Sequence, residues 1–204
     1  MVRAAALVTG DGAKLQAILD SMYFKEIPDF ELIAVISSER EAYAMKRALN
    51  AGVPAYVVDT ELFPNSTSHS MAVANKLKDM DIDLVILAGY EQPLGVIPYQ
   101  FKNRIIGTYP ALCPAFEEAE GDVQRAVLER GVKVTGATSY FADGDGRVGG
   151  IISQRAVEVK DNDTPETLSR RVLEEAEWKL LSQAVSLYCG NKLKIHGNRV
   201  IIEK

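Results

Sequence analysis

Four short segments of this chain are apolar except at their end residues: Arg3–Thr9 (RAAALVT), Leu32–Ser37 (LIAVIS), Ala55–Val58 (AYVV) and Leu84–Ala88 (LVILA). A strand with one wet face alternates apolar and polar residues, so unbroken apolar runs require burial on both faces. Between them lie stretches of helical periodicity. GDGAKLQAILDSM places Leu15, Ile18, Leu19 and Met22 on one face, and Glu41–Ala51 is closed by Gly52, the usual residue past a helix end. The alternation predicts an α/β domain with a mostly parallel sheet and helices on both faces.

The rest of the chain fits that frame. The first helix must stop before Ile27-Pro28, because proline disfavours helix in the residue ahead of it. Ser68 is a candidate cap for a helix reaching Met80, and Gly95–Phe101 reads as a short helix or turn. Arg104–Thr108 leads a further strand, Val123–Glu129 is a helix ending at Gly131, and Thr135–Phe141 and Ile151–Val159 are strands around the loop Asp143–Gly150. Thr164-Pro165-Glu166 is a cap, a first-turn proline and an acid at the positive end of a dipole. The helix it starts buries Leu168, Val172, Ala176, Leu180, Ala184 and Leu187 and stops at Gly190. LKIHGNRVIIEK closes the chain as a hairpin turning at Gly197-Asn198. No repeat or linker divides the 204 residues, so one domain is expected.

Composition excludes some functions. A net charge of −5 with no basic block argues against nucleic acid and anionic membrane surfaces as partners. No run approaches the roughly 18 apolar residues of a membrane span, and Ala4–Thr9 leads straight into a glycine loop and not a cleavage site. A cytoplasmic protein is expected, with no metal signature and with Cys113 and Cys189 as reduced thiols, a disulfide between them being the alternative. Tyr99, Phe101, Phe116 and Trp178 would either build a homodimer or protein-partner surface or pack in the core.

The candidate site begins at Gly10–Leu15. In open α/β sheets ligands sit beyond the carboxyl ends of strands, where helix N-termini attract anions. The backbone amides of Gly12, Ala13 and Lys14 and the Lys14 ammonium suit a phosphate, although Asp11 opposes one. A plain strand-to-helix turn with Lys14 in solvent is the other reading of the same residues.

Six segments in order resemble the glycinamide ribonucleotide formyltransferase family. TGDGAKLQAIL resembles S-G-x-G-S-N-L-Q-A-I. ISSEREAYAMKRALNAGVPAYVV resembles the family's second strand–helix–strand, and LVILAGY its V-V-L-A-G-Y/F strand. RIIGTYPALCP resembles R-I-L-N-I-H-P-S-L-L-P. GATSYFADGDGRVGGIISQRAVEV resembles G-x-T-V-H-F-V-x-x-x-x-D-x-G-P-I-I-x-Q-x-x-V-x-V, and DTPETLSRRVLEEAEWKLL the D-T-x-E-x-L…R-V…E-H-x-L-Y-P helix.

The resemblance implies a formyltransferase-like, Rossmann-like fold over residues 1–204, with 1–90 as the phosphate-loop half and 91–204 as the folate and catalytic half. It implies purine biosynthesis, with 10-formyltetrahydrofolate as the family's formyl donor and a phosphoribosyl amine as acceptor. The substrate-binding positions it marks are Gly10, Gly12, Ala13, Lys14, Gly89, Pro110 and Glu177. The family's catalytic Asn, His and Asp match Gly107, Tyr109 and Arg147 here. Gly107 has no side chain, an unperturbed tyrosine titrates near about 10, and arginine accepts no proton. Asp143 and Asp145 would replace the Asp only with a shift of register. The family's M-R-I-L is Glu91-Gln92-Pro93-Leu94, its P-x-Y-P-G-x-H is Pro114-Ala115-Phe116-Glu117-Glu118, and its Ser-Asn is Ala13-Lys14. Its arginine after the third strand falls near Ser66. Its Glu-His is Glu177-Trp178, with one residue inserted before it. Three functions follow from these departures: binding of a phosphorylated small molecule without formyl transfer, diverged transfer to a related metabolite, or residual formyl transfer.

Overall fold

The computed structural model describes residues 1–119, 121–197 and 199–203. Among the described residues, nine strands form one sheet in the order β3-β2-β1-β4-β5-β6-β7-β9-β8. They are β1 (Val2–Val8), β2 (Phe30–Ser37), β3 (Ala55–Val57), β4 (Leu84–Leu87), β5 (Ile105–Tyr109), β6 (Val134–Ala142), β7 (Val148–Glu158), β8 (Leu193–His196) and β9 (Arg199–Ile202). The first five are parallel. β6 and β7 run antiparallel to their predecessors, and β8 and β9 form the closing hairpin. Asn198, expected in that hairpin's turn, lies outside the described residues.

Burial on both faces explains the apolar runs of β1, β2 and β4, whereas β3 is the edge strand and leaves Tyr56 and Val57 exposed, so its apolar run does not mark two-sided burial. In β1, Ala4, Ala6 and Val8 face one cluster with Leu15, Ile18 and Leu19 of α1 (Ala13–Tyr23), Ala44 and Ala48 of α2 (Tyr43–Asn50), and Leu181, Ala184 and Val185 of α7 (Trp178–Cys189). Ala5 and Leu7 face the other, with Val73, Ala74 and Leu77 of α3 (Ser66–Asp79) and Ile97 of α4 (Ile97–Gln100). A third cluster packs α5 (Val123–Arg130) and α6 (Pro165–Val172) on β6 and β7 through Val127, Leu168, Val172, Ala137 and Val157. No helix among the described residues is long and apolar enough to cross a membrane.

Two local expectations change. The cap of α3 is Asn65, whose side chain accepts from Ser68 N at 2.9 Å, so Ser68 sits in the first turn as the recipient of capping. The long C-terminal helix is interrupted by a π-helical turn, Leu173–Glu177, between α6 and α7. A π turn accommodates one extra residue without rotating the helix that follows. The turn ends on Glu177, and the face that buries Ala176, Leu180 and Ala184 continues across it.

Candidate functional site

From β1 the chain builds outward through β2 to β3, then returns to add β4 and β5 on the other side of β1. The crevice at the carboxyl ends of β1 and β4 is thus the switch point of the sheet, where open α/β folds bind ligands. Gly10–Lys14 leaves β1 there, and Gly89 leaves β4 beside it with φ +87°, its carbonyl accepting from Thr9 N at 2.9 Å. Gly12 needs to be glycine twice over. Its φ is +71°, and a Cβ would lie 2.6 Å from Ala44 Cβ of α2. Gly10 O accepts from Ala44 N at 3.2 Å, and Asp11 O from Arg47 Nε at 2.8 Å, so α2 fixes the loop.

Asp11 does not point away from the loop. Its Oδ1 accepts from Ala13 N at 2.9 Å, so a carboxylate already engages one of the amides expected to meet a phosphate. Lys14 turns across the crevice and pairs with Glu177. Glu177, only 4% exposed, also accepts from Thr108 Oγ1 of β5 at 2.8 Å. Residues 14, 108 and 177 thus converge from the first turn of α1, the fifth strand and the π turn.

The second part of the site lies on β5 and β6. Gly107 pairs directly with Tyr140 across the antiparallel ladder. A Cβ on Gly107 would sit 3.1 Å from Tyr140 Oη and 3.2 Å from Leu87 Cδ1, so the phenol and a leucine methyl fill the space beside the glycine. Tyr109 Oη donates to Phe116 O at 2.7 Å and braces the segment after β5. Burial raises the Tyr109 phenol above its ordinary pKa, with Cys113 and Glu117 adding to the effect. Burial likewise pushes Tyr140 up to about 12, reinforced by Cys113, Glu177, Tyr109 and Asp143. Both phenols are therefore neutral donors near pH 7 and neither is a base.

Pro110 O accepts from Gln124 Nε2 at 2.6 Å, and Cys113 O from Gln154 Nε2 at 2.8 Å, which pins the proline turn against α5 and β7. The Cys113–Pro114 peptide is cis. Arg147 stands apart from this group. Its side chain is 78% exposed, with Nη2 3.4 Å from Asp145 Oδ2. Asp143 closes its own loop, Oδ1 accepting from Asp145 N at 2.9 Å and Arg147 N at 2.8 Å. The structure thus gathers Gly10, Gly12, Ala13, Lys14, Gly89 and Glu177 at one crevice, sets Gly107, Tyr109 and Pro110 along β5 and its turn, and leaves Arg147 on the surface.

Sequence reading passed over Thr108 and Tyr140. Thr108 carries no motif signal. Tyr140 stood in the matched H-F-V position, and its significance needs the β5–β6 register that sets it opposite Gly107.

Residues 2–185 match the family model described as formyl transferase. The chain is 34% identical to the trifunctional purine biosynthetic protein adenosine-3 of Gallus gallus over 95% of its own length, and spans only 19% of that protein. It is 32% identical to the phosphoribosylglycinamide formyltransferase of Mycobacterium tuberculosis strain H37Rv, covering 98% of this chain and 88% of the relative. The crystal structure of glycinamide ribonucleotide transformylase 1 from Symbiobacterium toebii superposes with a TM-score of 0.94 at 40% identity, over 100% of this chain and 95% of the other. With a family match running from β1 into α7, and the strand order and crevice described above, this chain belongs to the formyl transferase family.

Proposed function

We propose that this protein binds a phosphorylated small molecule of the phosphoribosyl-amine class in the β1–β4 crevice and does not perform formyl transfer by the family mechanism. The observation that carries this reading is the Gly107–Tyr140 pair: the position matched to the family's asparagine has no side chain, and a neutral phenol fills the space beside it. A formyl-transfer site must polarise a carbonyl, stabilise an oxyanion and accept a proton from the attacking amine. Gly107 donates nothing from a side chain, Tyr109 Oη is engaged with Phe116 O, and Arg147 is exposed and permanently protonated. These residues do not fit the chemistry that 10-formyltetrahydrofolate requires, so no transfer step follows from them.

Retained binding is supported by the first turn of α1. Among the described residues, no carbonyl or carboxylate accepts from the Lys14 and Leu15 amides, which lie at the positive end of an 11-residue helix. A phosphate entering there competes with the Asp11 carboxylate for Ala13 N. The domain reading follows from this division, with residues 1–90 supplying the phosphate loop and 91–204 the altered half. Residual formyl transfer is the second reading, favoured by 40% identity to glycinamide ribonucleotide transformylase 1 of Symbiobacterium toebii.

One pair of measurements decides between them. Calorimetric titration with glycinamide ribonucleotide should give saturable heat, and incubation of that ligand with 10-formyltetrahydrofolate should release tetrahydrofolate no faster than buffer does. Transfer above buffer would establish the second reading, and absence of heat would remove ligand binding.

A further inference from the structure

We propose that Tyr140 is the ligand-facing donor of the cleft, its phenol supplying from β6 the hydrogen bond that Gly107 cannot supply from β5, and that it selects ligands presenting an acyl oxygen at that point. Three observations support the assignment. Gly107 and Tyr140 are directly paired, and the hydroxyl lies 3.1 Å from where a Gly107 Cβ would stand. Tyr140 Oη has no protein acceptor among the described residues, yet it is not sealed from solvent as Tyr90 Oη is. The neighbouring hydroxyls are committed, Tyr109 to Phe116 O and Thr108 to Glu177. Tyr140 therefore holds the one uncommitted hydroxyl proton among these three groups.

Geometry gives the ligand's direction. β6 lies three strands from β1, and neighbouring strands are about 4.8 Å apart, so roughly 14 Å separates the two strands. A phosphoribosyl group anchored at Gly12–Lys14 extends its substituent along that path. A neutral phenol hydrogen-bonds well to a carbonyl oxygen, whereas an ammonium gains more from Glu177 or from water. The tyrosine that replaces a side chain on β5 therefore favours an acylated substituent over a free amine.

The inference rests on the phosphoribosyl-ligand reading, and its test separates the two. Glycinamide ribonucleotide and its N-formyl derivative are titrated into the wild-type protein, Tyr140→Phe and Gly107→Ala. Wild type should bind the formyl derivative about 3- to 10-fold more tightly, the range expected for one neutral hydrogen bond. Tyr140→Phe keeps the ring and the fold and should abolish that preference while binding of the amine form persists. Gly107→Ala pushes the hydroxyl aside and should reduce the preference with little change in melting temperature. Equal affinity of wild type for both ligands, or a preference that survives in Tyr140→Phe, would overturn the assignment and leave the parent reading intact. No binding of either ligand to wild type would overturn both.

Discussion

Glu177 is a carboxylate taken almost wholly out of water, and one charge accompanies it. The Lys14 ammonium balances it from α1, where 20% of the lysine side chain remains exposed, and the Thr108 hydroxyl satisfies the same oxygen. A buried pair of this kind adds little net stability compared with an apolar replacement of both partners, but removing one partner strands the other's charge. Lys14→Met should therefore destabilise the protein by about 2–4 kcal/mol, toward the lower side of the usual range because the lysine is partly wet. Glu177→Gln combined with Lys14→Met should recover much of that loss, since a neutral amide needs no counter-ion and still accepts from Thr108. Urea unfolding of both variants checks this, and additive losses in the double variant would show that the pair is not coupled. The pair also restricts the crevice: Lys14 reaches an incoming phosphate only by leaving Glu177 or by being shared between them.

At the scale of elements, the π turn explains how Glu177 keeps its place. A single extra residue in an α-helix turns everything beyond it by about 100°, which would carry Glu177 away from β5. The π turn Leu173–Glu177 confines the surplus to five residues, so Ala176 and Glu177 are buried while Glu174 and Glu175 stay exposed. Deleting Glu175 should convert the turn into regular helix, leave α6 and α7 in register, and change stability by no more than about 1 kcal/mol. Deleting Lys179, an equally exposed residue two positions into α7, has no surplus to absorb and should cost several times as much by turning Leu180, Leu181 and Ala184 off the core. Thermal melts of the two deletions give the comparison, and equal losses would refute the role assigned to the turn. The π turn was not readable in the sequence, because its five residues, LEEAE, are ordinary helix formers and only packing on both sides selects the π geometry.

For the whole molecule, the sheet was legible because burial on two faces leaves a continuous apolar run in the interior strands β1, β2 and β4, a signal that needs no tertiary information. The crevice was legible for the same local reason, as Gly10, Gly12 and Gly89 each mark a backbone turn at the end of a strand. What could not be read were relations across the fold: Asp11 folding onto Ala13, Lys14 reaching Glu177, and Tyr140 lying against Gly107, each set by side-chain direction or strand register. The two cysteines test how tightly those relations hold. Cys113, 5% exposed behind the proline turn, and Cys189, 8% exposed at the end of α7, are both free thiols. Burial pushes Cys113 up to about 11 and Cys189 up to about 12, with the nearby acids Glu117 and Asp29 adding to the rise. The thiolate is the reactive form, so at pH 7.5 each native cysteine is ionised in fewer than roughly one molecule in a thousand, and the packing also excludes the reagent. Native protein should therefore be almost inert to an aromatic disulfide reagent at pH 7.5, and both thiols should react together once urea unfolds the domain. Raising the pH to 9 should accelerate reaction of the native protein by the larger factor, because thiolate rises about tenfold per pH unit well below the pKa, whereas the unfolded thiols pass their ordinary pKa of about 8.5 and begin to saturate. If one equivalent reacts while the circular dichroism spectrum remains native, the proline turn or the end of α7 opens independently, and the coupling of these segments to the core is weaker than their burial implies.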